Sequence, residues 1–236
     1  MGYIIHEGPS KFDGRPIIVV ALPTSTNDKT GNMLQTYILR ADLDPITANK
    51  FGEDESICGT CSLRGTPTLD PTRKTAEDRT CYVTLYQGPL SVFKAYTRGN
   101  YQRALTPRQI QNVGRGKRVR IGTYGDGAAV PERVWDNLLM YADGHTAYTH
   151  GHADPGRFMY SVETHQQAQR AWHDGRRTFR IVSAAEQIDA RNEVQCPSET
   201  HGVQCVDCML CSGANKPGKS VAIVVHGAGA RNFKEI

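Results

Sequence analysis

The feature that most restricts the fold is an alternation of short β-branched runs and helical patterns over the second half of the chain. Val119-Arg-Ile-Gly-Thr-Tyr124 reads as a strand. The segment Val130–Tyr141 follows with apolar residues at 130, 134, 135, 138, 139 and 141 and a proline, Pro131, placed for a first helical turn. His145–His150 is extended again, and Arg157–Val162, Thr178–Val182 and Ser220–His226 are further strands, with a helix over 164–174 that Thr164 caps. Strands that alternate with helices build parallel βαβ units, because a parallel connection must cross over a face of the sheet. The crossovers are shorter than a full eightfold barrel needs. The expected fold is therefore α/β, a partial or irregular (β/α) barrel with cysteine-rich metal-binding loops.

The first half is different in kind. Pro16–Leu22 and Leu34–Leu39 are apolar runs separated by turn material, TSTNDKTGN, and read as a hairpin or neighbouring strands. Pro89–Tyr96 is spaced as an amphipathic helix. At 236 residues the chain is read as one domain, 1–236: a first cysteine loop at about 52–83, (β/α) units at about 117–195, a second cysteine loop at 196–219 and a final strand at 220–227. No secretory signal is read at the start, MGYIIHEGPSKFDGRP, and no apolar run approaches a membrane span. The expected location is cytoplasmic.

The seven cysteines fall into two groups: Cys58, Cys61 and Cys81, then Cys196, Cys205, Cys208 and Cys211. An odd number in two tight groups speaks for metal binding in a reducing compartment rather than for a disulfide framework. The run Cys205-x2-Cys208-x2-Cys211 matches the spacing with which one tight loop supplies three corners of an iron–sulfur cubane, whereas zinc usually takes two ligands from each of two separated knuckles. One or two [4Fe–4S] clusters are expected, with zinc as the alternative. The three upstream thiolates would leave one iron with an open position. One site fed from both ends of the chain and two separate sites both remain open.

The ordered motifs CGTCSLRG, TCYV, GPLSVFKAYTRGNY, VRIGTYGD, TAYTH, SVE, TFRIV, CP…C..C..C and VAIVVHG, spanning about Ile57 to Gly227, resemble a family of bacteriophage-encoded cysteine-rich proteins. That resemblance implies a phage or prophage origin, hence a host-cytoplasm location, and metal binding. A weaker resemblance is to radical S-adenosylmethionine enzymes, which combine a partial (β/α) barrel, three cysteines in an early loop and a Gly-rich motif after the second strand. It implies cofactor contacts from Gly122 and Gly125 and a redox or radical reaction. The family's C-x3-C-x2-C hallmark is replaced here by C-x2-C-x19-C.

Functional groups of (β/α) proteins gather at the C-terminal ends of strands. Those ends nominate Tyr124, Asp126, His150, Glu163 and Arg180 as catalytic candidates, with His152, Ser183 and His226 nearby. Arg98, Arg103, Arg108, Arg115, Lys117, Arg118 and Arg120 lie in a stretch without an acidic residue, so a nucleic-acid partner through Arg98–Arg120 is the competing expectation, in a zinc-stabilised binding module with structural cysteines. No membrane partner is expected.

Overall fold

The computed structural model describes residues 2–151, 156–227 and 229–233. Eleven strands among them form two sheets. β1 (Tyr3–Pro9), β2 (Pro16–Leu22) and β3 (Leu34–Arg40) make an antiparallel meander, β4 (Gln102–Arg103) adds to the free edge of β1, and β5 (Arg118–Tyr124) and β6 (Gly144–Thr146) continue parallel to β3. The second sheet is wholly parallel, in the order β10-β11-β9-β8-β7: β7 (Tyr148–Thr149), β8 (Met159–Val162), β9 (Thr178–Val182), β10 (Glu193–Gln195) and β11 (Ser220–Val224). Only Ala147 separates β6 from β7, so one extended segment passes from the first sheet into the second.

The class is thus mixed α/β with two mostly parallel sheets. The described strands form two open sheets, and neither runs round into a closed barrel. The physical reason is the meander: β1 and β2 pair antiparallel, which a tight connection permits and a βα repeat does not. β2 explains itself, since PIIVVAL lies at the centre of its sheet and a strand covered on both faces is apolar throughout.

Eight α-helices connect or flank the strands: α1 (Pro45–Lys50), α2 (Glu55–Cys58), α3 (Gly88–Thr97), α4 (Pro107–Gly114), α5 (Glu132–Leu139), α6 (His165–His173), α7 (Pro197–Thr200) and α8 (Cys205–Cys208). α4 and α6 begin with capping boxes, Thr106 with Gln109 and Thr164 with Gln167, each satisfying backbone donors that the first turn leaves orphaned. α5 buries Val134, Trp135 and Leu138, and the Trp135 indole donates to the Gly127 carbonyl at 2.9 Å. α6 closes one face of the second sheet, where the Trp172 indole meets Thr178 Oγ1 and Ser220 Oγ at 3.0 and 2.8 Å. The opposite face of that sheet carries the site, with the short helices α7 and α8 at its border. No helix among the described residues is long and apolar enough to cross a membrane.

Candidate metal centre

Side chains alternate across a strand, so one face of the parallel array collects Arg120 and Tyr124 of β5, Tyr148 of β7, His150 beyond it, Phe179 and Ile181 of β9, and Ile223 of β11. This face is the floor of a cavity of about 370 Å3. All seven cysteines line it. The two groups, far apart in sequence, both reach it, and backbone hydrogen bonds anchor each loop.

The first group is built on α2 and the knuckle after it. Cys58 N donates to the Asp54 carbonyl at 2.9 Å, Cys61 N to the Cys58 carbonyl at 3.2 Å, and Cys81 N to the Leu63 carbonyl at 2.9 Å. Arg64 clamps the loop: its guanidinium pairs with Asp54 at 2.7 Å and donates to the carbonyls of Gly59 and Gly52, both at 2.7 Å. The loop is docked on the end of β5 by Asp126 N, which donates to the Ile57 carbonyl at 2.6 Å.

The second group hangs from the strand ends. Cys196, directly after β10, donates its amide to the Ala222 carbonyl of β11 at 2.8 Å. Cys205 N and Val206 N donate to the carbonyls of Lys29 and Thr30 at 3.0 Å each, which fixes α8 against the loop between β2 and β3. Met209 takes the left-handed conformation, φ 51°, and turns the chain so that the Cys211 carbonyl accepts from Ala147 N at 3.1 Å. Arg177 holds the far side of this loop through the carbonyls of Leu210 at 2.8 Å and Lys219 at 2.7 Å.

Of the residues nominated from strand ends, Tyr124, Asp126, His150 and Glu163 line the cavity, as do Gly122 and Gly125. His150 Nε2 lies 3.2 Å from Glu163 Oε1, and Ser62 Oγ donates to the same oxygen at 3.1 Å. Burial alone would depress the His150 imidazole, but its bonds to Cys61 and Glu163 outweigh that and push it up to about 10. Burial likewise opposes ionisation of Glu163, and the His150 contact overrides it and lowers the carboxyl. Asp126 is spent on the backbone: its two oxygens accept from Ala128 N at 2.9 Å and His150 N at 2.8 Å, and burial raises its pKa.

Gly122 and Gly125 are glycines for a backbone reason. Both have positive φ, 68° and 83°, and a Cβ on Gly122 would lie 2.5 Å from the Gly125 carbonyl oxygen, one on Gly125 2.7 Å from Ile38 Cβ.

Arg180 does not join the site. It alternates with Phe179 and Ile181, so it lies on the helix-covered face of β9, 2% exposed, where it makes a paired contact with Glu193 at 3.0 and 2.7 Å. His226 lies at the rim with its Nδ1 3.1 Å from Glu199 Oε1 and its Nε2 3.1 Å from Lys29 Nζ, whereas Ser183 is outside the cavity lining and His152 is outside the described residues. The basic stretch is also divided by the fold. Arg120 is buried in the cavity, whereas Arg98, Arg103, Arg108, Arg115 and Arg118 are exposed, with Arg103 paired to Glu7 at 2.9 Å, Arg115 stacked on Tyr141 and Arg118 donating to the Val206 carbonyl.

Two site residues escape a reading by strand ends, Arg120 and Tyr148. Both sit within their strands, and the signal that finds them is two-residue spacing: Arg120 shares a face with Tyr124, and Tyr148 with His150.

Cysteine thiolates are the donors that an iron–sulfur cluster takes. Burial pushes the thiols of Cys58, Cys81 and Cys205 above their ordinary values and that of Cys211 to about 12, so thiolates here require a bound cation to compensate their desolvation. The Tyr124 hydroxyl, on a residue 4% exposed, is buried without a hydrogen-bond partner among the described residues. It neighbours Cys58 and Cys81, and burial holds the phenol well above its ordinary pKa, so it stays a donor. Cluster sulfides and thiolates are acceptors of the kind this orphan lacks. Among the described residues, no group of three or more Cys, His, Asp or Glu side chains is placed to hold a metal ion.

Comparison with family models, with curated proteins and with solved structures found no match.

Proposed function

We propose that the protein is a phage-type iron–sulfur protein on a partial (β/α) barrel, with Cys58, Cys61 and Cys81 as one ligand set and Cys196, Cys205, Cys208 and Cys211 as another. The observation that carries this reading is the convergence of all seven cysteines on one cavity over one face of the parallel array. Neutral buried thiols have little use for such a common space, whereas a cluster takes one thiolate per iron and spreads its ligands around itself.

Three thiolates in the first set would leave one iron of such a cluster without a protein ligand, and that iron would supply Lewis-acid or redox chemistry. Around it, His150 and Glu163 form the proton-bearing pair, Tyr124 offers a hydrogen-bond donor, and the apolar side chains of Phe179 and Ile181 exclude water. This arrangement supports a redox or radical enzyme.

Anaerobic purification tests the assignment. The loaded protein is brown, with broad visible absorption from sulfur-to-iron charge transfer, and contains iron and acid-labile sulfide. A colourless protein with stoichiometric zinc would overturn it.

A further inference from the structure

Arg120 is a buried cation in the cavity that the second cysteine set lines, and that placement gives it a role. Its residue is 6% exposed and lines the cavity, yet among the described residues it forms no ion pair with a carboxylate. Its guanidinium lies over the Tyr148 ring, 4.3 Å from the centroid. Tyr148 follows Ala147, whose amide holds the Cys211 carbonyl, and the Tyr148 hydroxyl is bonded to the Cys211 thiol. A buried guanidinium is costly unless an anion neutralises it. Four thiolates around a cubane carry a net negative charge and provide that anion.

The cation at the first set is His150, which is bonded to both Cys61 and Glu163. Arg64 is committed to Asp54 and two carbonyls. Arg79 donates to the carbonyls of Cys81 and Val83, both at 2.8 Å, and does not line the cavity. Arg120 and Tyr124 are four residues apart on β5, at most ~13 Å along a strand, so the same strand presents a cation to one set and a neutral donor to the other.

Resting on the cluster reading above, we infer that Arg120, seated on Tyr148, is the fixed counter-charge of a cluster held by Cys196, Cys205, Cys208 and Cys211, and that it raises this cluster's reduction potential. Net charge and hydrogen bonds to the sulfurs are the protein's levers on such potentials. A positive charge beside the cluster favours the reduced, more negative state. The Tyr148 hydroxyl, donating to a thiolate ligand, acts in the same direction.

The test is an anaerobic redox titration of the reconstituted full chain, followed by electron paramagnetic resonance, with Cys208→Ser identifying which signal belongs to the second set. Arg120→Gln shifts the reduced-to-oxidised ratio of that signal at least about tenfold toward the oxidised form at a fixed potential, about 59 mV for a one-electron couple. The other signal stays in place. Arg120→Lys keeps most of the wild-type potential, and Tyr148→Phe gives a smaller shift of the same sign. Should Arg120→Gln fail to fold, Tyr148→Phe decides. Potentials unmoved in a variant that retains its iron, or two signals that move together, overturn the inference and leave the cluster reading standing. Wild-type protein without iron and sulfide overturns both.

Discussion

Replacing Tyr124 by Phe separates the cost of an orphaned hydroxyl from its use. In the metal-free chain the oxygen is buried and has no partner among the described residues, so it carries its desolvation penalty uncompensated. Such a penalty is about 1–3 kcal/mol. Tyr124→Phe removes the oxygen and keeps the ring, which packs in the core with Ile38, Ile57 and Ile121. The metal-free variant is therefore more stable than the wild type by roughly that amount. At about 2–4 °C per kcal/mol for a chain of this size, the melting temperature rises by roughly 2–12 °C. Loading iron and sulfide supplies an acceptor, and a hydrogen bond to a charged group contributes about 1.5–3 kcal/mol, so the advantage of Phe disappears or reverses in the loaded protein. Thermal unfolding followed by circular dichroism under anaerobic conditions, on both proteins in both states, measures the four values. A metal-free variant less stable than wild type, or the same gain in both states, refutes the reasoning.

Three further outcomes follow from the same structure. Glu193→Ala leaves Arg180 buried and unpaired and costs about 3–5 kcal/mol in urea unfolding, while replacing both partners by Met and Leu restores most of it; a single-variant loss under about 1 kcal/mol counts against a buried structural pair. Cys208→Ser lowers both iron content and soluble yield, because the second loop has little regular structure of its own and metal binding is coupled to its folding; unchanged iron by elemental analysis removes Cys208 from the ligand set. The Asp189 carboxyl is held down to about 2, chiefly by its bond from Asn192. Its folded pKa is below the unfolded value of about 3.9, so its contribution to stability is present above that pH and is lost as pH falls toward 2. The urea midpoint of Asp189→Asn falls less steeply than that of the wild type across that window, and equal slopes refute the assignment.

Much of the second sheet is legible in the sequence because its signals are local. Thr178–Val182 is a run of β-branched and aromatic residues, and Thr164 announces α6 three residues before Gln167 completes the capping box. β1 is hidden by the same logic. YIIHEGP mixes apolar residues with His6 and Glu7, and its register with β2 shifts between Ile4 and His6, so no clean alternation survives. α4 had a readable start in Thr106-Pro107-x-Gln109, yet the arginines around it draw attention to charge instead.

The sequence by itself determined the α/β class, most strands and helices after residue 117, the two cysteine groups and four of the five strand-end candidates that reach the cavity. These depend on periodicity, caps and spacing, which act over a few residues. Only the tertiary structure decided that the two cysteine groups line one cavity, that Arg180 belongs to the helix-covered face and that Arg120 is a buried cation rather than part of a basic surface. Those outcomes depend on which strands become neighbours: β6 and β7 carry one extended segment across both sheets, and the order β11-β9-β8-β7 sets the Cys196–Cys211 loop over the same face as Tyr124. Contacts at such separations in the chain are chosen by burial of the whole array, and no local pattern records them.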